Sequence, residues 1–172
     1  MRALGQGAQS LILRKGGIAE GRSGFIPRHL DFWLLPTRFH AQASKLRPEF
    51  RCFAQGQEET EPEAVELEYV AKLVWSRFLV DWPSVRRLVR LQLWEEALLR
   101  ERFAYGQKEG LHLLMVRVYR SQKVSCPWDR SLGGCRSWVA VEHPWSEPLV
   151  PVLSDAEFGT REREAFVAAG DE

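Results

Sequence analysis

Leu111-His-Leu-Leu-Met-Val-Arg-Val-Tyr-Arg120 is the stretch that decides the fold. Its inner half is apolar on both faces of an extended chain, which predicts a strand at the centre of a sheet. Earlier in the chain, from Val65 to Trp75, apolar side chains largely alternate with polar ones. That period of two predicts a long, half-buried strand that reaches about Val80 and is bent midway.

Helices are predicted between and after these strands. Asp81-Trp-Pro-Ser84 combines a capping side chain with an early proline and predicts the start of a central helical pair that runs to about Phe103. Ser154-Asp-Ala-Glu157 is a capping box that opens a C-terminal helix to about Ala169. Shorter strands are predicted at 8–14, within 25–36, at 49–53 and at 137–141. We therefore expect one α+β domain over residues 1–172, with a mixed, mainly antiparallel sheet.

The composition predicts a cytoplasmic protein without a membrane partner. No apolar run approaches the ~20 residues of a membrane span, and no targeting segment is evident. Cys52, Cys126 and Cys135 are an odd number, so reduced thiols are expected rather than a Cys126–Cys135 disulfide. The cysteine and histidine spacing does not fit a zinc site, and we expect neither a metal nor a cofactor.

Charge is segregated along the chain although the net charge is only +1. Residues 1–51 carry +6 and residues 69–130 carry +6, whereas residues 52–68 carry −6 and residues 131–172 carry −5. If the two basic segments share a face, their field favours a phosphate-bearing partner. The alternative is that the glutamate block at 52–68 neutralises the neighbouring basic strands.

The candidate ligand site begins at the first strand, in Ser10-Leu-Ile-Leu-Arg-Lys-Gly-Gly-Ile18. There an apolar run ends at Arg14 and Lys15, and Gly16-Gly17 supply the positive φ of a tight turn. Two cations and several backbone N–H groups at one strand end are typical of an anion site.

Further candidates come from other segments: Arg38 and His40 would assist at the phosphate, and Trp138 would stack on a base. His40 and Cys135 are also the candidates for an alternative, a nucleic-acid-processing or hydrolytic enzyme, if the fold brings them together. The structural alternative is that a histidine beside Pro36-Thr37 satisfies backbone groups of a loop.

Several segments carry a resemblance to a known family. They are Leu13-Arg-Lys-Gly-Gly-Ile18, Phe25, His29, Phe32, Pro36-Thr37 with His40, Trp94, Arg102-Phe103, Leu114 to Tyr119, Gly133-Gly-Cys-x-Ser-Trp138, and Pro151-Val-Leu-Ser-Asp155 with Phe158. In order and extent they resemble a bacterial family described as domain of unknown function 1802. The resemblance covers nearly the whole chain and implies no assigned activity.

This chain differs from the members of that family at the N-terminus. Its members begin with a further strand, containing a Glu-Trp pair, ahead of the segment equivalent to Ala3-Leu4. The absence of that strand here predicts an open sheet edge, and the third hypothesis is a structural or protein-interaction subunit that forms a homodimer through it. The opening also looks like that of RNA-associated pseudobarrels of the PUA and ASCH type, a likeness of fold alone.

These observations favour a non-catalytic binding module for a phosphate-bearing ligand, with nucleic acid as the leading ligand class. The expected ligand-binding residues are Arg14, Lys15, Gly16, Gly17, Arg38, His40 and Trp138.

Overall fold

The structure is a computed structural model that describes residues 1–15, 29–36, 44–54, 63–129, 132 and 139–170. Its strands are β1 (Leu11–Arg14), β2 (Asp31–Trp33), β3 (Ala64–Leu79), β4 (Leu111–Pro127) and β5 (Val150–Pro151). Its α-helices are α1 (Arg2–Gly5), α2 (Trp82–Arg87), α3 (Glu96–Ala104) and α4 (Asp155–Ala168). Two 3-10 helices span Pro48–Ala54 and Leu88–Leu91.

The strands form a five-stranded sheet with the order β1-β4-β3-β2, and β5 pairs with β4. All pairings between the described strands are antiparallel. The α+β class, the mainly antiparallel sheet, the helices between β3 and β4 and the C-terminal helix are thus confirmed. The sheet of the described residues is open, with β1 and β2 at the two ends of its path, and these strands do not close the pseudobarrel that the sequence suggested.

The strand at the centre is β4, because both of its faces are covered. On one face, Leu113 and Met115 pack in a core cluster with side chains of α2, α3 and α4. On the other face, Leu114 and Val116 pack with Leu4 and Leu34. The apolar residues on both faces of β4 therefore have the central position that their pattern predicts.

Local signals also place the helix starts correctly. Asp81 caps α2 by accepting a hydrogen bond from the Ser84 backbone N–H at 2.9 Å. Ser154 and Glu157 form the expected capping box at the start of α4. The helices α2 and α4 pack together with α3 on one face of the sheet, against β1 and β4.

Three boundaries differ from the prediction. The segment Pro48–Ala54, predicted in part as a strand, is a 3-10 helix whose Phe50 and Phe53 pack against a small core cluster. The strand β4 runs on to Pro127 rather than ending near Arg120, because β3 begins beside it with Ala64 opposite Pro127. Residues 139–141, predicted as part of a strand, are not in one. Within the described ranges, no helix combines the length and apolar composition needed to cross a bilayer.

Candidate functional site

The ammonium group of Lys15 is bound by three backbone carbonyl oxygens. Its Nζ donates to the oxygens of Phe103 at 2.9 Å, Lys108 at 2.5 Å and Gly110 at 3.0 Å. An ammonium has three N–H donors, so these acceptors use all of them. Partial burial lowers the pKa of Lys15, and the charge of Glu109 opposes that shift. Lys15 thus ties the end of β1 to the end of α3 and to the loop that follows.

The last two residues of α3 and the loop that follows them form a segment, Phe103–Gly110, that is closed at its base and that we call the Lys15-tied loop. Besides the three carbonyls that accept from Lys15, the Gly110 N–H donates to the Phe103 oxygen at 3.1 Å. Gly110 has φ +132°, and a Cβ there would lie 2.5 Å from Phe78 Cζ and 2.7 Å from the Leu79 oxygen. Glycine is required at this position because both the backbone angle and the space exclude a side chain.

Arg102 adds its guanidinium group to that of Arg14 at the end of β1. It is half-buried on α3, and its Cζ lies 4.9 Å from the centroid of the Trp94 ring. Burial, and next the charge of Arg14, lower the pKa of Arg102, whereas the Glu101 carboxylate raises it. The hydrogen bond from Lys15 to the Phe103 oxygen brings the neighbouring residues Arg14 and Arg102 to the same strand end.

Aromatic rings border these cations. Arg14 is opposite His112 in the β1–β4 register, and the His112 ring lies 4.5 Å from the Phe78 ring. The Lys108 ammonium sits 4.8 Å from the centroid of Phe78. Tyr105 projects from the Lys15-tied loop with 61% of its surface exposed.

Together these contacts define a group that we call the β1-end cluster: Arg14, Lys15, Arg102 and Lys108. Two exposed carboxylates act on it, Glu101 and Glu109. Among the described residues, these four cations concentrate positive charge at this strand end, and Glu101 and Glu109 offset part of it. Such a concentration of charge attracts anions, and a planar guanidinium suits phosphate geometry particularly well.

The structure brings together two of the residues predicted from the sequence. Arg14 and Lys15 both belong to the β1-end cluster, at the strand end where the prediction placed them. The N–H groups of Lys15 are used by carbonyls, so its contribution to an anion is its charge rather than a direct hydrogen bond. The other predicted site residues lie outside the described residues: Gly16, Gly17, Arg38, His40, Cys135 and Trp138.

Sequence reasoning did not identify Arg102, Lys108 and Tyr105 as site residues. In the sequence, Arg102 belongs to the Arg102-Phe103 motif of the family resemblance and lies near the end of the predicted helical pair. Lys108 and Tyr105 lie in a polar stretch after it. The signal that links them to Arg14 is tertiary, because Lys15 reaches the carbonyls of Phe103 and Gly110 across the fold. A glycine at each of positions 106 and 110 was the one local indication of a constrained loop.

Other cations of the described residues stabilise the two ends of α4. Arg87 donates to the Ala168 oxygen at 2.9 Å and Arg77 to the Ala169 oxygen at 3.4 Å, which satisfies carbonyls at the C-terminal end of the helix. Arg117 forms an ion pair with Asp155 in the first turn, and this hydrogen bond raises the pKa of Arg117. These three arginines therefore have a structural role, because each of them binds one end of α4.

Two other features of the described residues offer little room for chemistry. A small cavity lined by Ser10, Arg117 and Val152 among others has room for about one water molecule. Cys126 is buried, which raises its pKa and makes its thiol a poor nucleophile. The described histidines, cysteines and carboxylates include no group of three or more that could hold a metal ion.

The chain belongs to the family described as domain of unknown function DUF1802, whose model matches residues 1–164. This match confirms the resemblance drawn from the motifs. Neither a curated protein nor a solved structure matches the chain.

Proposed function

We propose that this protein is a non-catalytic binding module for a phosphate-bearing ligand, with nucleic acid as the ligand class. In this proposal Arg14 and Arg102 of the β1-end cluster contact phosphate oxygens. Lys15 adds positive charge and holds the loop, and Lys108 extends the positive surface. Gly16, Gly17, Arg38, His40 and Trp138 remain part of the proposed site on their sequence pattern.

The hydrogen bond from Lys15 to the Phe103 oxygen is the observation that carries this proposal, because it places the neighbouring residues Arg14 and Arg102 at one strand end. The positive charges of Arg14, Lys15 and Arg102 at one strand end together attract an anion. Arg102 is already half-buried and lies against Trp94 at 4.9 Å, so little of its mobility remains to be lost on binding. The arrangement supports a preformed anion site at the end of β1.

The surroundings of the cluster favour nucleic acid over a small phosphate. The β1-end cluster spreads over β1, α3 and the Lys15-tied loop, which suits a chain of phosphates better than a single one. Half-buried Phe78 lies beside the Lys108 ammonium, and exposed Tyr105 belongs to the same loop as Lys108, as expected for a surface that contacts both backbone and bases. The proposal does not depend on a pseudobarrel, because the open sheet by itself brings β1 beside α3.

Substitution of Arg102 tests the proposal directly. We expect Arg102→Gln to weaken binding of fluorescein-labelled oligo(dT) or oligo(U) about tenfold, since a charge-assisted hydrogen bond contributes about 1.5 kcal/mol. Arg14→Gln should have a similar effect, measured by fluorescence anisotropy at one fixed salt concentration.

Arg100 provides the matched control. It lies on the same helix as Arg102, and its Cζ is 4.7 Å from the Trp82 ring, so it also stacks on a tryptophan. Being two residues from Arg102, it points away from the β1-end cluster, and Arg100→Gln should leave the affinity unchanged. The proposal fails if the wild-type protein binds neither oligonucleotide, or if Arg100→Gln and Arg102→Gln weaken binding equally.

A further inference from the structure

The Lys15-tied loop presents an exposed aromatic ring beside the β1-end cluster. Residues 104–109 are all exposed, whereas Phe103 and Gly110 at the two ends of the loop are buried. The base of the loop is closed by the Gly110 N–H on the Phe103 oxygen and by the ammonium of Lys15. A loop fixed at its base holds Tyr105 in a defined place without burying its ring.

Among the described residues, Tyr105 differs in its surroundings from the other exposed residue with a large aromatic ring, Phe166. The Phe166 ring, 43% exposed, meets Trp75 edge-on at 5.9 Å and lies under the Arg77 guanidinium at 5.6 Å. Tyr105 is 61% exposed, and no ring or cation of the described residues is stacked on it. Its backbone N–H donates to the Arg102 oxygen at 3.3 Å, so the two residues are held on one turn.

From this geometry we infer that the ligand is single-stranded nucleic acid and that Tyr105 stacks on one unpaired base while Arg102 holds the neighbouring phosphate. The inference rests on the proposed function and adds the strandedness of the ligand. Bases in a duplex already stack on one another and offer no free face, whereas an unpaired base gains by stacking on an aromatic side chain. A tyrosine ring loses little conformational entropy when it does so.

The test compares Tyr105→Ala and Tyr105→Phe on two probes. The first is a fluorescein-labelled oligo(dT) of about ten nucleotides, a length within the site size of a small single-strand-binding domain. The second is the same length of chain with every base removed, which keeps the phosphates and loses the stacking partner. We expect Tyr105→Ala to weaken oligo(dT) binding about tenfold, Tyr105→Phe to bind as the wild type does, and all three proteins to bind the abasic chain equally.

Phe166→Ala is the matched control, because it removes an exposed aromatic ring that lies outside the proposed site. It should leave oligo(dT) affinity unchanged, and the oligo(dT)·oligo(dA) duplex should bind more weakly than the single strand. The inference is overturned if Tyr105→Ala binds oligo(dT) as the wild type does, if Phe166→Ala is the variant that loses affinity, or if the duplex binds as tightly. Each of these results leaves the proposed function standing, whereas a wild-type protein that binds no oligonucleotide would contradict both the inference and the proposed function.

Discussion

Replacing Lys15 with methionine removes the group that ties β1 to α3 and keeps most of the apolar side chain. The hydrogen bonds to Phe103 and Gly110 are partly buried, and together they contribute about 3 kcal/mol as charge-assisted bonds. The third bond, to Lys108, is exposed and adds little. Partial dehydration of the ammonium offsets roughly 1 kcal/mol, which leaves an expected loss of about 2 kcal/mol in the free energy of unfolding.

Urea unfolding followed by circular dichroism measures this loss. With a denaturant dependence of about 2 kcal/mol per molar, the midpoint should fall by about 1 M at an unchanged slope. Amide hydrogen exchange should also accelerate at Gly110, whose N–H closes the base of the loop. Lys123→Met is the control, because Lys123 is exposed and makes one distant ion pair, 3.8 Å from Glu68. A midpoint for Lys15→Met equal to that of Lys123→Met would refute the reasoning.

Two further predictions concern the loop and the last helix. Gly110→Ala should lower the free energy of unfolding by at least about 2 kcal/mol, because its Cβ would meet Phe78 at 2.5 Å, whereas Gly106→Ala, with φ +82° and open space, should cost about 1 kcal/mol; equal thermal midpoints of the two variants would contradict this. Ser154→Ala should remove the cap of α4 at a cost of about 1 kcal/mol at neutral pH. Hydrogen bonds from Ser154 lower the pKa of Glu157 from 4.5, so the stability that this carboxylate adds is present above pH 4.5 and is lost as the pH falls through the lowered pKa. Thermal unfolding between acid and neutral pH should therefore show a smaller acid destabilisation in Ser154→Ala than in the wild type, and identical pH profiles would oppose it.

Elements encoded by local signals were predictable from the sequence. The central position of β4 follows from its apolar residues on both faces, and the starts of α2 and α4 follow from Asp81 and Ser154. The prediction of a strand around Phe50 and Phe53 was wrong. These two aromatic residues are three positions apart, which is a helical spacing that places both on one side of the segment. The full length of β4 depends on β3 as a partner, and a short window does not contain that information.

Of the β1-end cluster, only Arg14 and Lys15 were predictable from the sequence. Arg14 and Lys15 are neighbours in sequence, so their presence at one strand end needed no knowledge of the tertiary structure. Their relation to Arg102 comes from packing α3 beside β1, which brings together residues 88 positions apart, Lys15 and Phe103. The hydrogen bonds from the Lys15 ammonium to backbone carbonyls could not be predicted either, because no sequence pattern marks a backbone oxygen as an acceptor for a distant side chain.

The salt dependence of oligonucleotide binding tests the central claim most directly. Each phosphate that a cation neutralises on a single strand contributes about −0.7 to the slope of log affinity against log salt concentration. With Arg14, Arg102 and Lys108 as the cations whose charge neutralises phosphates, the wild-type protein should show a slope of about −2 for oligo(dT), and the Arg14→Gln, Arg102→Gln double variant a slope of about −0.7. A flat slope for the wild-type protein, or the same slope for both proteins, would contradict the assignment of the β1-end cluster as a phosphate-binding site.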